Sequence, residues 1–170
     1  LLGGWPPGTV VVALRDDHWE WNGESWTEVY SSVQAENLAM VPRATHGMVY
    51  HAARETTLVY GGYFLCLFGC NRIHLLHEWD GTSWNNTGSA LNSVLGMRAG
   101  FAMSYDSRER RILGFGGRDD NFNLPDYSSS ELWSWGGEGG SDSDDWVKLQ
   151  NNASLGFKVP SARAFHAMVY

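Results

Sequence analysis

Short apolar stretches recur along the chain in a fixed order, each cut off by Gly, Asn-Gly or Asp-Gly. Runs this short, bounded by turn residues, read as β-strands rather than helices. The segments RATHGMVY (43–50), RAGFAMSY (98–105) and RAFHAMVY (163–170) align without a gap. LVYGG (58–62) and LGFGG (113–117) follow the first two at one spacing. EWNGESW (20–26) and EWDGTSW (78–84) form a third signal. LWSWGG (132–137) is a looser copy of it, ending at Trp146 after a Gly/Ser/Asp insertion. Internal repeats of this kind decide the fold before any single element does.

Each unit predicts four strands, at residues 43–50, 57–61, 77–80 and 83–87 in the best copy. Asn22-Gly23 and Asp80-Gly81 sit between the third and fourth strands and predict type I′ hairpins, which need positive φ at both central positions. The Gly pair closing the second strand marks a close backbone approach or a positive φ. The tryptophans are large enough to fill the space between neighbouring sheets. The chain thus divides into strands two to four of a partial unit (1–30), full units at 43–88 and 98–149, and a first strand at 163–170.

These residues resemble the kelch repeat: an Arg-x-x-His/Phe first strand, a hydrophobic strand ending in Gly-Gly, a Trp-bearing third strand and a later Trp. The Met-Val-Tyr and Met-Ser-Tyr-Asp forms, with Glu-Trp-Asp-Gly-x-x-Trp, are similar to divergent kelch repeats and to galactose-oxidase-like central domains. The resemblance covers nearly the whole chain. It implies an all-β, kelch-type β-propeller segment of four-stranded antiparallel blades, with the first strand of each blade lining a central channel. About three blades' worth of strands is fewer than the 4–8 of a closed propeller. The expectation is a segment of a longer chain; the alternative is a ring in which two chains each donate residues 163–170.

Composition narrows the function. Twenty Gly and nine Trp suit many short strands, and 12 basic against 19 acidic residues, net −7, oppose binding to a phosphate backbone. No apolar run approaches the ~20 residues of a membrane helix, and the first six residues lack a signal-peptide pattern. Cys66 and Cys70, spaced C-x-x-x-C, fit neither a redox motif nor a zinc pair, and read as free thiols or as a loop-pinning disulfide. A disulfide would imply an oxidising compartment. Asn85 and Asn152 open N-glycosylation sequons. An extracellular or cell-surface setting is expected, with the cytoplasm as the alternative.

The loops 5–17, 63–76 and 118–130 and the connections 31–42, 89–97 and 150–162 are long and fall on one side of the repeat. Long loops on a rigid scaffold tend to carry function. The candidate binding residues there are Trp5, Arg15, Arg43, Tyr63, Phe64, Phe68, Arg72, Arg98, Arg118, Asp120, Tyr127 and Arg163. The apolar runs at 9–14 and 64–68 read as extra strands or as a partner patch. Arg43, Arg98 and Arg163 should cluster, paired with acidic residues or loop carbonyls, or forming an anion-binding ring. His46 and His166 share a repeat position with Phe101, which favours packing over metal ligation. His18, His51, His74 and His77 are scattered. The acidic and amide oxygens of 118–127 suit Ca²⁺, but not in an EF-hand pattern. No metal, cofactor or catalytic constellation is expected. The reading is a non-catalytic protein-interaction or structural assembly module, its partner a protein or other copies of the same assembly. The alternatives are a glycan-binding propeller stacking sugars on Trp5, Tyr63, Phe64, Phe122 or Tyr127, and a galactose-oxidase-like enzyme, whose copper motif finds no residue-by-residue match.

Overall fold

The computed structural model describes residues 2–4, 14–30, 41–66, 69–87, 95–118, 128–136, 146–149 and 158–170. Its regular elements are all antiparallel strands, and no helix occurs among the described residues. In chain order they are β1 (Leu2–Gly4), β2 (Arg15–Trp21), β3 (Trp26–Tyr30), β4 (Gly47–His51), β5 (Thr56–Tyr60), β6 (Tyr63–Cys66), β7 (Gly69–Arg72), β8 (Leu76–Trp79), β9 (Trp84–Asn86), β10 (Ala99–Asp106), β11 (Arg111–Arg118), β12 (Leu132–Trp135) and β13 (Val147–Leu149). They form sheets β1-β2-β3, β4-β5-β8-β9 and β10-β11-β12-β13, plus a separate ribbon β6-β7. The apolar run 64–68 enters that ribbon, although 67 and 68 lie outside the described residues. Of the run 9–14, only Leu14 is described.

Local chemistry explains the hairpins. Asn22 Oδ1 accepts the amides of Glu24 and Ser25, and Asp80 Oδ1 accepts those of Thr82 and Ser83. Gly23 and Gly81 take φ of 104° and 93°, but Asn22 and Asp80 are not at positive φ, so the turns are not the expected type I′. Four residues separate the paired Trp21 and Trp26, and likewise Trp79 and Trp84, because each Asn or Asp side chain caps the turn instead. Each turn sets a cross-strand tryptophan pair: Trp21 opposite Trp26, and Trp79 opposite Trp84. In the third sheet Trp135 faces Ile112 as Trp79 faces Thr57, and Ser134 pairs with Val147 beside Trp146. The register thus puts Trp135, not Trp133, in the place of Trp79.

The first strand of the second unit starts at Gly47 rather than 43. Just before it the chain bends into the left-handed region at Thr45 (φ 60°), and it does so again at Gly100 (63°) and Phe165 (59°). The bend lets neighbouring units meet backbone to backbone. Gly100 N–H donates to Thr45 C=O at 2.8 Å, and Phe165 N–H donates to Gly100 C=O at 2.9 Å. Residues 163–170, expected as a first strand, pair in no ladder among the described residues.

A second contact recurs at each junction. Gly4 N–H donates to Arg43 C=O at 3.0 Å, Gly62 N–H to Arg98 C=O at 2.8 Å, and Gly117 N–H to Arg163 C=O at 3.0 Å. The preceding glycine leaves no room for a side chain. A Cβ on Gly3 would lie 2.7 Å from Arg43 O, and one on Gly61 or Gly116 would press still closer on Arg98 O or Arg163 O. All three have positive φ.

Alternation along β5 sends Val59 one way and Leu58 and Tyr60 the other. Val59 joins Leu2, Trp79 and Trp84 in a core against the first sheet. Leu58, Tyr60 and Leu76 join Phe101, Met103, Ile112, Trp133, Trp135 and Trp146 in the core against the third. Each buried indole removes roughly 150–250 Å² from water, about 4–6 kcal/mol of hydrophobic drive as an upper bound.

Gly61→Ala is expected to cost at least about 2 kcal/mol in a denaturant titration, because a left-handed backbone and a backbone clash add. Gly81→Ala, with nothing within 4 Å of the new Cβ, should lose only the conformational part, about 1–2 kcal/mol. Equal losses would sink the close-approach account.

Candidate functional site

The three repeat arginines occupy equivalent corners but different surroundings. Arg43 is fully buried. Its guanidinium donates to Val41 C=O and Gly61 C=O, each at 3.3 Å, and Nη2 lies 3.2 Å from His77 Nδ1. Burial lowers its pKa to about 9. Arg98 repeats the arrangement, donating to Leu95 C=O and Gly116 C=O at 3.1 Å, and it meets Glu131 Oε2 at 2.6 Å. Arg163 is exposed and, among the described residues, its guanidinium donates to the nearby Ser161, at the carbonyl and Oγ, each at 3.0 Å. Arg43 and Arg98 are therefore pins within the fold, with their donors turned onto carbonyls, and Arg163 is the one that faces solvent.

Glu131 balances the second junction. Burial pushes its carboxyl up, but hydrogen bonds from Lys148 and Arg98 and their charges outweigh this and hold it at about 2. The histidines pack. His18 lies against Trp79 and Trp84, with centroids 4.9 and 5.4 Å away, and His51 against Tyr105 at 4.9 Å. Burial, helped by the Arg43 charge, lowers His46 to about 4. No group of three or more His, Cys, Asp or Glu able to hold a metal occurs among the described residues.

An apolar groove of about 370 Å³ lies between the third sheet and residues 158–170. Phe115, Leu132, Val159, His166 and Met168 line it, with Arg163 at its side. His166 stands edge-on to Phe115, centroids 5.7 Å apart, and both of its ring nitrogens are buried without a hydrogen-bond partner among the described residues. At the opposite end of the structure Trp21 and Trp26 stack 5.4 Å apart and are 51% and 54% exposed. Reading the repeat alone does not single out this groove or that pair. The signal available is which sheet faces lack a neighbour.

The other candidates are dispersed. Arg15 is exposed at the start of β2, and its carbonyl accepts Arg43 N–H. Tyr63 bridges to Ala44, and Phe64 is half-buried beside it in β6. Arg72 pairs in register with Tyr63, and Arg118 ends β11. The ribbon sets Cys66 opposite Gly69 and Cys70 opposite Leu65. Asn85 is exposed on β9, its amide donating to Asp80 at 3.2 Å. Trp5, Phe68, Asp120, Phe122, Tyr127 and Asn152 lie outside the described residues. No helix among the described residues is long and apolar enough to cross a membrane.

No protein-family model matches the chain, and no curated protein is significantly similar to it.

Two pH dependences follow. The Glu131 pKa is depressed on folding, so its stabilisation is complete above about pH 4.5 and is lost as pH falls towards 2. Glu131→Gln should flatten that limb of a stability-versus-pH curve measured in denaturant. His46 is also depressed, so the unfolded chain takes up a proton that the folded one refuses, and stability drains as pH falls from 6.5 to about 4. His46→Phe, which copies Phe101, should remove that loss and keep the fold. An unchanged slope between those values would refute the assignment.

Proposed function

We propose that this chain is a segment of a kelch-type β-propeller and works as a non-catalytic protein-interaction or assembly module. The observation that supports it best is the repeated junction. Three glycine amides, of Gly4, Gly62 and Gly117, donate to the next unit's arginine carbonyl, and Arg43 and Arg98 turn their guanidinium back onto the glycine carbonyl of their own unit. A junction with donor and acceptor on every unit extends by repetition, each unit contacting only its neighbours. In a ring of blades the left-handed residues Thr45, Gly100 and Phe165 would stand nearest the axis, with β4 and β10 lining the channel.

The assembly reading draws on the two ends of the described structure. A solvent-facing tryptophan pair at one end and an apolar groove at the other are surfaces of the kind that mark protein contacts. The partner in this reading is a protein or further copies of the same assembly.

The test compares the native mass of the protein from its source with the mass of its denatured polypeptide. A native mass that is a multiple of the polypeptide, or its sum with a second protein, is the expected result. Equal masses at micromolar concentration would remove the assembly reading. Particle images should show a ring with a central channel, and an open linear array would remove the propeller.

A further inference from the structure

The Asn85-Asn86-Thr87 sequon serves neither the junctions nor the cores. It stands on the middle sheet, which has a packed neighbour on each face. Within β9 Trp84 is buried, while Asn85 and Asn86 are exposed. Asn85 Nδ2 donates to Asp80 Oδ2 at 3.2 Å and to Ser83 Oγ at 3.4 Å, both at the exposed hairpin turn. An amide substituted at Nδ2 keeps one of its two hydrogens, enough to retain the Asp80 bond. A bulky group at Asn85 would therefore project into solvent without breaking the turn.

Thr87 supplies the second observation. Its N–H donates to Leu76 C=O at 3.2 Å, yet its hydroxyl is buried with no partner among the described residues. A buried hydroxyl left unpaired is a cost that valine, of the same shape, would avoid. The fold gives no use for a threonine at this position, whereas transfer of a glycan to Asn85 requires that hydroxyl. The strand edge supplies the third. β9 is the outer strand of its sheet, as β3 and β13 are of theirs. Outer strands are commonly guarded by charge. Glu28 in β3 and Lys148 in β13 are exposed charges two residues after Trp26 and Trp146. At the same distance after Trp84, β9 has Asn86, and the strand carries no charge.

We propose that Asn85 carries an N-linked glycan, rooted on the uncharged edge of β9. The co-reactant is an oligosaccharide linked to a lipid diphosphate. Asn85 Nδ2 attacks the anomeric carbon, the N–C bond forms and the C–O bond to the diphosphate breaks. The lipid diphosphate leaves with the electron pair, and the amide proton passes to a base of the transferase. Once β9 has formed, the Thr87 hydroxyl is enclosed, so transfer precedes the folding of this sheet. The inference is independent of the assembly reading above. It needs passage through a secretory compartment and no protein partner.

The experiment is peptide mass spectrometry of the protein from its source, after digestion with peptide N-glycosidase in heavy-oxygen water. That enzyme marks each formerly glycosylated asparagine with the heavy isotope. The expected result is label at Asn85 and none at Asn86, with Asn152 read on its own peptide. An unlabelled Asn85 overturns the proposal, whatever Asn152 shows. In a secreting eukaryotic host, Thr87→Val should abolish the label at position 85. It should leave the denaturant midpoint of the deglycosylated chain unchanged or higher. Retention of the label overturns the proposal, and so does a lower midpoint, which would give the hydroxyl a use within the fold. A source protein that is monomeric yet labelled at Asn85 would leave this inference standing and the assembly reading refuted.

Discussion

Everything in this structure hangs on how closely two backbones come together where one sheet passes to the next. A glycine in the left-handed region presents its bare Cα to an arginine carbonyl, and the following amide donates to that carbonyl. Any side chain there would fill the space the carbonyl occupies. Arg43 and Arg98, which supply two of these carbonyls, then turn their guanidinium onto the next glycine carbonyl. Local conformation and inter-unit packing are thus set by the same few atoms, which is why the Gly pair and the arginine recur together. Burying a guanidinium is tolerated only because its donors are used; an unpaired buried cation would cost several kcal/mol.

The second constraint is volume. Indoles from one sheet enter the space between the previous sheet and their own first strand. The partners vary from Leu2 and His18 to Tyr60, Leu76 and Phe101, so the slots tolerate different shapes as long as an edge-on ring or an aliphatic wall is present. The histidines follow this logic. They behave as flat, partly polar packing groups, and burial keeps His18, His46, His51 and His166 from taking a proton at their ordinary pKa.

Much of the fold is legible in the sequence because its signals are local. Asn22-Gly23 and Asp80-Gly81 mark where the hairpins stand, though the turn type differs from the one they suggest, and the unbroken apolar run of Leu58, Val59 and Tyr60 fits a strand buried on both faces. The left-handed bend is harder to read. Gly100 hints at it, but Thr45 and Phe165 are residues that avoid that region, and only the inter-unit hydrogen bonds explain them. The choice between Trp133 and Trp135 needs the register, since the loose third copy offers both. The division of the arginines into two buried pins and one exposed side chain depends on what lies beside each unit. So does the groove, whose lining looks like ordinary core in the sequence.

The left-handed bend also has a geometric consequence. At Thr45, Gly100 and Phe165 successive units meet at a single hydrogen-bond length, 2.8–2.9 Å between main-chain atoms, while further out they stand apart by the thickness of an aromatic ring. Two slabs pinched at one margin and propped open at the other must be inclined to each other. In the proposed propeller each unit would therefore act as a wedge, like a stone cut for an arch. The tilt from one to the next is set by the bulk of the outer side chains against a fixed inner seam. Trimming an indole at Trp84 or Trp146 would do more than leave a hole. It would let the slabs fall towards parallel and change the curvature of everything built beyond them.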